Sequence, residues 1–353
     1  MNSSGANARS IYIDPSYAAF GADKLFDLSD PILNRDDQLL AMARLRQAVL
    51  QQGANITTAD RLLVQGGVQE GDYYSMGLRP DMVALQARNI RLCGYLLMEP
   101  PVVAPSLYAA LPSVTTQFER VYVHNTHGDG YSLDGVRKGA LRKLYWPIPY
   151  RGVIEQHWNR QERSRKIVAI NGHHKPISKN RELYSKRIEA LAIFSKHDAA
   201  DLYGRGWDRW MTGCSLWMPY LLHRRSLLKI FRGPSQSKYE TLSAYTFCLC
   251  LENMRMDGYV TEKIFDCLYA GTIPLYLGAE DITTYIPENA FIDCRKFDRW
   301  DALLDYVQSM SATSISLMRE AGRAFMESDK ILPYYHSLED IVLGSAHRLQ
   351  ANQ

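Results

Sequence analysis

Long hydrophobic runs are missing from this sequence of 353 residues, since no stretch of about 18 or more consecutive apolar residues occurs. A membrane-spanning helix needs a run of that length, and the polar opening MNSSGANARS does not resemble a signal peptide. An excess of one charge is missing too, because 41 Lys and Arg stand against 38 Asp and Glu, a net charge of +3. This balance argues against a protein that coats nucleic acid, which usually has a strong basic excess.

Cysteine is scarce, with six residues scattered over the chain and no Cys-x-x-Cys pair among them. Cys248 and Cys250 stand two apart in an apolar run, so we expect them on one face of a buried strand. Reduced, buried thiols are typical of an intracellular protein, and with the absent signal peptide they predict a cytoplasmic location. A Walker A loop and a Gly-x-Gly-x-x-Gly fingerprint are also absent, which removes the commonest phosphate-binding loops.

The composition that remains, with 46% hydrophobic and 22% charged residues, is typical of a globular chain. Its length exceeds what one core usually holds, which favours two domains of roughly 150 to 180 residues. Short apolar runs alternate with helical patterns, as in a strand predicted at Ile11–Ile13 and an amphipathic helix predicted at Asp36–Gln51. This alternation predicts parallel strand pairing and an α/β fold.

A basic segment marks the border between the two domains. Ten Lys or Arg and four acids lie between residues 151 and 189, just after the Pro-containing segment Trp146–Pro149. The strand–helix alternation then restarts, with a helix predicted at Asn180–Phe194. This indicates a bilobed protein with its ligand in the cleft. We predict two Rossmann-like lobes facing a central cleft, residues 1–155 and 156–330. Residues 331–353 are predicted to form a helical tail that packs back on the first lobe.

The region after the predicted strand Thr246–Leu251 carries the clearest motifs. Glu252 and Asn253 follow this strand directly, and a glycine-containing loop then leads into a helix predicted at Glu262–Ala270. A helix that starts beyond the end of a strand is a ready anion site, because its free N–H groups and its dipole point outward. Thr261 is predicted to be the N-cap residue of this helix.

Lys263 stands in the first turn of the predicted helix and would add a full positive charge to the anion site. Taken alone, this lysine would be read as one more solvated surface residue. The residues around Lys263 argue against that interpretation, because they form an ordered series of motifs. The series consists of Glu-Asn at 252–253, Gly-Tyr-Val-Thr-Glu-Lys at 258–263, Gly-Thr-Ile-Pro-Leu-Tyr-Leu-Gly at 271–278, Tyr-Ile-Pro at 285–287 and Phe-Ile-Asp at 291–293.

This series resembles the donor-binding region of the α1,3/4-fucosyltransferase family. Upstream, Asp201–Gly204 is similar to that family's Asp-x-Tyr-Gly segment, and Gly233–Lys238 is similar to its Gly…Lys segment. The resemblance covers roughly residues 160 to 300. It implies a bacterial-type, GDP-fucose-dependent enzyme with the two-lobed GT-B fold, which inverts the anomeric carbon of GDP-β-L-fucose without a metal. The sequence contains no Asp-x-Asp pair, the usual metal-binding pair of metal-dependent sugar-nucleotide transferases.

The resemblance also implies roles for individual residues. Lys263 matches the lysine that holds the donor diphosphate, and Glu262 matches the acid that meets the donor ribose or fucose. Asn253 and Tyr259 match polar residues of the same pocket, and Thr261 stands beside them at the helix start. A further arginine meets the diphosphate in the family, and Arg181 fits it best here. Its rivals are Lys179 and Arg187.

Glu99 is the predicted general base, because it resembles the base in the family's Glu-x-Pro segment and precedes Pro100. A carboxylate at the end of a strand in an α/β lobe faces the crevice, and partial burial would raise its pKa. The alternative for Glu99 is an ordinary surface residue at a strand end. Glu119, which precedes another apolar run, is the second candidate.

A second basic run, residues 224–232, has two readings, since it could face phosphate or solvent. The predicted partners are GDP-fucose and a glycan acceptor. The expected acceptor is a lipid-linked glycan such as a lipopolysaccharide or O-antigen precursor, with peripheral contact of the enzyme to the inner membrane. No cofactor, metal or nucleic acid is expected. The alternatives are a transferase for another GDP-sugar and a non-catalytic sugar-nucleotide-binding protein.

Overall fold

The computed structural model of the protein describes residues 9–64, 70–77 and 89–345. Within these ranges the chain forms two compact units. Among the described residues, the first unit comprises those up to Glu99, Ser106–Pro149 and those from Pro333 onwards, and the second comprises Pro100–Pro105 and Tyr150–Leu332. Each unit contains a parallel β-sheet, which confirms the prediction of two Rossmann-like α/β lobes. The structure places the border between the units at Pro149–Tyr150.

The sheet of the first unit has the strand order β2-β1-β3-β4-β5-β6, and its neighbouring strands pair in parallel. These strands are β1 (Ser10–Ile13), β2 (Asn55–Thr58), β3 (Gly71–Ser75), β4 (Ile90–Leu96), β5 (Arg120–Val123) and β6 (Leu141–Lys143). The helices along this part of the chain are α1 (Leu40–Gln51), α2 (Asp60–Val64), α3 (Pro105–Ala109) and α4 (Leu111–Gln117). Helix α1 begins four residues later than predicted, because Asp36 and Asp37 adopt left-handed φ angles of 55° and 56°.

From Pro333 onwards the described part of the C-terminal segment belongs to the first unit, and this part of the chain forms α12 (Leu332–Tyr335) and α13 (Ser337–Leu343). The hydroxyl of Tyr74 donates to the carbonyl of Val342 at 3.2 Å. The buried carboxylate of Glu339 accepts a hydrogen bond from Arg44 Nε at 2.8 Å. These contacts join residues far apart in sequence, so the segment is an integral part of the unit's core.

The sheet of the second unit has the strand order β11-β10-β9-β7-β8. The strands are β7 (Ser164–Ile170), β8 (Ala200–Tyr203), β9 (Tyr245–Leu251), β10 (Ile273–Leu277) and β11 (Ile292–Asp293). The helices are α5 (Glu155–Trp158), α6 (Tyr184–Lys196), α7 (Met218–Ile230), α8 (Lys238–Ser243), α9 (Glu262–Tyr269), α10 (Trp300–Ser309) and α11 (Ala312–Glu327). The chain runs from β7 to the edge strand β8 and returns past β7 to β9. Ligands of such sheets bind beyond the carboxyl ends of the strands at this reversal.

Helix α7 was not predicted from the sequence, and the basic residues Arg224, Arg225 and Lys229 lie on it. Its apolar side chains point to more than one face, since Leu227 and Ile230 are buried whereas Leu222 is exposed. This distribution obscures the helical period.

Over the described residues, no helix combines the length and the apolar character needed to cross a bilayer.

Gly204, directly after β8, has a φ of +145°, a conformation reserved almost entirely for glycine. A Cβ at this position would lie 1.9 Å from the carbonyl oxygen of Asn171. That oxygen also accepts the indole N–H of Trp207 at 2.7 Å. Gly204 N–H donates to the carbonyl of Gly233, another glycine with positive φ (+87°), whose Cβ position has no neighbour within 4 Å. The two glycines therefore differ in packing and share the requirement for positive φ.

We expect Gly204→Ala to lower the free energy of unfolding by about 4 kcal/mol or more, because the backbone must move away from Asn171. The matched change Gly233→Ala adds only left-handed strain, about 1–2 kcal/mol. Urea unfolding followed by tryptophan fluorescence measures both values, since Trp207 reports on the affected carbonyl. Equal losses for the two variants would contradict this assignment.

Candidate functional site

The candidate site lies where β7 and β9 end, at the reversal of strand order in the second sheet. Two backbone hydrogen bonds join the segments that follow these strands. Leu183 N–H donates to the carbonyl of Asn253 at 3.0 Å, and Arg255 N–H donates to the carbonyl of Arg181 at 2.9 Å. The start of α6 and the loop after β9 are thereby held side by side.

Glu252 directly follows β9, and its side chain is completely buried. Its Oε1 accepts the backbone N–H of Thr261 at 2.9 Å, and the Thr261 hydroxyl lies 2.8 and 3.0 Å from the two carboxylate oxygens. Lys263 Nζ donates to Oε2 at 3.0 Å. A buried carboxylate is costly unless it is hydrogen-bonded and paired, and these contacts meet both conditions. Glu252 thus fixes the entry into α9.

Thr261 occupies the N-cap position of α9, as the sequence predicts, but its side chain makes no capping hydrogen bond to the helix. The predicted N-cap position is thus confirmed. The hydroxyl donates its proton to Glu252, and its oxygen accepts a hydrogen bond from Lys263 Nζ at 2.9 Å instead of one from a backbone N–H of the helix.

Lys263 is largely buried, with 20% of its side chain exposed, so the reading as a solvated surface lysine is wrong. Its ammonium group has three protons and three acceptors, namely Glu252 Oε2 at 3.0 Å, Thr261 Oγ1 at 2.9 Å and Glu262 Oε1 at 3.5 Å. Burial alone would lower its pKa, but the carboxylates of Glu252 and Glu262 outweigh burial and raise it. Lys263 therefore stays cationic over the whole neutral pH range.

Glu262, the first residue of α9, has one carboxylate oxygen that accepts no hydrogen bond from the described residues. Its Oε2 is shielded from solvent and has no hydrogen-bond partner among the described residues. Burial would raise the pKa of Glu262, but the positive charges of Lys263 and Lys238 outweigh burial and lower it. An ionised oxygen without a partner is costly, and such groups are concentrated at binding sites.

Three basic residues are predicted near the diphosphate, and in the structure Arg187 is buried whereas Arg181 and Lys179 are exposed. Arg187 is 3% exposed, and its Nη2 donates to the carbonyls of Leu251 and Glu252 at 2.8 and 3.3 Å. Its pKa is lowered by burial. This guanidinium therefore supports the end of β9. Arg181 and Lys179 are exposed, and Arg181 has a left-handed φ of 53° that delays the predicted helix start from Asn180 to Tyr184.

The two predicted lining residues differ in accessibility. Asn253 is partly buried, and its carbonyl accepts the backbone N–H of Leu183. Tyr259 is 1% exposed, its N–H donates to the carbonyl of Met256 at 3.2 Å, and its own carbonyl lies 3.5 Å from the Tyr276 hydroxyl. Tyr259 is thus part of the core beneath the helix start.

Glu99 belongs to the first unit, whereas the predicted donor-binding residues belong to the second. It is partly buried in the bend after β4, at the carboxyl edge of its sheet. Close by, His124 Nε2 lies 2.9 Å from the carbonyl of Met98. Glu119 stands before β5, at the opposite edge, and its carboxylate lies 3.6 Å from Arg91 Nε. Only Glu99 therefore has the position expected of a ligand-facing carboxylate.

Residues 163–319 match the family model described as glycosyltransferase family 10 (fucosyltransferase), C-terminal part. Over 73 residues the chain is 38% identical to the α-(1,3)-fucosyltransferase FucT of Helicobacter pylori, covering 21% of this chain and 15% of that protein. Over 69 residues it is 38% identical to an α-(1,4)-fucosyltransferase of Arabidopsis thaliana, covering 20% and 17%. The chain thus spans less than a fifth of the length of either curated relative.

The fold is similar to the crystal structure of an α1,3-fucosyltransferase with GDP, with a TM-score of 0.51 and 16% identity over 96% of this chain and 92% of that chain. This likeness concerns the fold and confirms the predicted GT-B type. The family resemblance stated from the sequence motifs is confirmed by the match over residues 163–319.

Among the residues that the structure describes, no group of three or more His, Cys, Asp or Glu is arranged to hold a metal ion.

We predict that Glu252 and Lys263 are strongly coupled in stability, because removing either leaves a buried charge uncompensated. A double-mutant cycle with Glu252→Gln and Lys263→Met should give a coupling free energy of about 1–3 kcal/mol in urea unfolding. The matched control is the exposed pair Lys186–Glu189, at 2.9 Å in the same unit, for which about 0.5 kcal/mol or less is expected. A Glu252–Lys263 coupling no larger than that of the control would refute the structural role of Glu252.

Proposed function

Residues 163–319 carry a glycosyltransferase family 10 (fucosyltransferase) C-terminal domain, and on this premise we propose that the protein is an inverting fucosyltransferase. It moves L-fucose from GDP-β-L-fucose to a hydroxyl of a glycan acceptor in α linkage, of the α1,3 type. The observation that carries the proposal is the Glu252–Thr261–Lys263 cluster at the start of α9. This cluster presents a permanently charged lysine and a helix N-terminus at the carboxyl end of a central strand.

The diphosphate of the donor displaces the weakest of the three contacts of Lys263. The contacts to Glu252 and Thr261, at 3.0 and 2.9 Å, are normal hydrogen bonds, whereas the contact to Glu262 is 3.5 Å long. Exchanging Glu262 for a phosphate oxygen keeps all three ammonium protons satisfied. It also frees the Glu262 carboxylate to accept hydrogen bonds from the ribose or fucose hydroxyls.

A second cation is required at this site, because the cluster itself is not positive. Glu252 and Glu262 outnumber Lys263 in charge, and the two nearest other cations are engaged elsewhere, Lys238 with Asp266 and Arg187 with backbone carbonyls. The exposed Arg181, held next to the loop after β9 by Arg255, is the residue we assign to supply it. A guanidinium binds phosphate oxygens in pairs, and it stabilises the negative charge that develops on the leaving group.

The reaction is a single displacement. The acceptor hydroxyl oxygen attacks the anomeric carbon of fucose, the bond from that carbon to the diphosphate oxygen breaks, and GDP leaves with the bonding electron pair. The hydroxyl proton passes to Glu99, the proposed general base. This step needs no redox partner. We accordingly propose that the enzyme needs neither a cofactor nor a metal, with GDP-fucose as co-substrate.

The remaining parts of the proposal concern the acceptor and the location. We propose a cytoplasmic enzyme in peripheral contact with the inner membrane, acting on a lipid-linked glycan such as a lipopolysaccharide precursor. The bacterial origin of one relative, the FucT of Helicobacter pylori, is what supports this choice. A different GDP-sugar as donor, or sugar-nucleotide binding without transfer, would be recognised in a screen of donors and acceptors by mass spectrometry.

Lys263→Ala and Arg181→Ala are each expected to weaken GDP binding by on the order of tenfold to a hundredfold, because each removes a charged hydrogen bond to phosphate. Isothermal titration measures the affinity. Lys179→Ala is the matched control, since it removes an exposed cation two residues from Arg181. If Lys263→Ala binds GDP like the wild type, the diphosphate assignment fails.

Glu99→Gln is expected to reduce transfer by about a hundredfold to ten-thousandfold while GDP affinity stays unchanged, because the amide cannot take the proton. Glu119→Gln serves as the control and should transfer at the wild-type rate. Both are assayed in EDTA, in which the wild type should retain its activity. Near wild-type transfer by Glu99→Gln would show that another group is the base, and loss of wild-type activity in EDTA would contradict the metal-free mechanism.

A further inference from the structure

Exposed apolar side chains are concentrated in one region of the second unit, the loop after β8 and the first turns of α7. They form what we call the apolar patch: Trp210 (53% exposed), Met211 (74%), Leu216 (52%), Met218 (59%) and Leu222 (71%). Large apolar residues exposed singly are ordinary, but five within thirteen residues of chain mark an interaction surface. The patch lies at the β8 edge of the sheet.

The loop and the helix contact each other through Trp210 and Arg224. The Arg224 guanidinium carbon lies 4.5 Å from the centre of the Trp210 ring, so a helix residue stacks on the loop tryptophan. Along α7, Met218, Leu222, Arg225 and Lys229 follow one another at intervals of four, three and four residues. Residues at this spacing share one face of a helix, and all four are exposed. This face is apolar at its start and basic at its end.

The border of the patch is strongly basic. Between residues 205 and 229 the chain has five Lys or Arg and a single acid, Asp208. Arg205, Arg209 and Arg225 are exposed, and within the described part of the chain none of them forms an ion pair with an acid. Since the whole protein has a net charge of only +3, this is a local concentration of positive charge.

We propose that the apolar patch and its basic border bind the surface of an anionic lipid bilayer. Leu222, Met218 and Trp210 enter the boundary between head groups and acyl chains, while the arginines contact lipid phosphates. Aliphatic side chains offer no hydrogen bonds to sugar hydroxyls, which disfavours a glycan as the occupant. A second copy of the chain is disfavoured because a two-fold contact would bring like charges together. The proposal does not depend on the transfer reaction.

The test is co-sedimentation of the full chain with vesicles of phosphatidylcholine alone or mixed with phosphatidylglycerol. Binding is expected only to the mixed vesicles and should weaken as salt is added. Leu222→Asp should weaken it by on the order of tenfold to a hundredfold, and Arg225→Glu by on the order of tenfold. The matched controls Leu317→Asp, on an equally exposed leucine of α11 (67%), and Lys330→Glu should bind like the wild type.

GDP titration shows whether each variant is folded, because none of the substituted residues is among those assigned to the donor. Three results would overturn the proposal: no binding to the mixed vesicles, equal binding to phosphatidylcholine alone, or unchanged binding by Leu222→Asp. Self-association of the wild type in sedimentation velocity, lost in Leu222→Asp, would assign the surface to a second copy instead. Failure of any transfer assay would leave this proposal untouched, so the two claims fail separately.

Discussion

Glu252 is a fully buried carboxylate at the end of a central strand, so its negative charge must be balanced by hydrogen bonds and a nearby cation. The groups that balance this charge determine the geometry of the site in the second unit. The carboxylate binds the backbone and hydroxyl of Thr261 and the ammonium group of Lys263. These contacts fix the first turn of α9 against β9. Arg187 donates hydrogen bonds to the backbone carbonyls of Leu251 and Glu252. The start of the helix, the orientation of Lys263 and the position of Glu262 all follow from this one buried charge.

The same arrangement explains why the site suits a diphosphate without being strongly positive in itself. The carboxylates of Glu252 and Glu262 keep Lys263 cationic and also accept hydrogen bonds from its ammonium group. An incoming anion must therefore replace one of these two carboxylates. Glu262 is the contact that can be exchanged, and its second oxygen lacks a partner among the described residues. A site built in this way is organised before the ligand arrives, which lowers the cost of binding. The proposed role of the exposed Arg181 is to supply the further positive charge that this exchange calls for.

Much of this region could be predicted from the sequence, because its signals are local. The apolar strand, the helix start and the C-terminal glycine of α9 succeed one another within thirty residues, and the family motifs occupy the same stretch. Glu252 was missed as a site residue, since a glutamate at a strand end carries no sign of its burial. The start of α6 was misplaced because neither the left-handed φ of Arg181 nor its hydrogen bond to the distant Arg255 has a signal in the local sequence. Helix α7 was missed because exposed apolar residues on its outer face hide the helical period.

The cluster at the start of α9 is proposed to receive the diphosphate of a guanine nucleotide sugar, and a crystal structure of the protein with GDP would decide this. We expect a phosphate oxygen within hydrogen-bond distance of Lys263 Nζ, a broken Lys263–Glu262 contact and an intact Glu252–Lys263 contact. A diphosphate bound away from the start of α9, with the contacts of Lys263 unchanged, would show that Lys263 does not hold the donor.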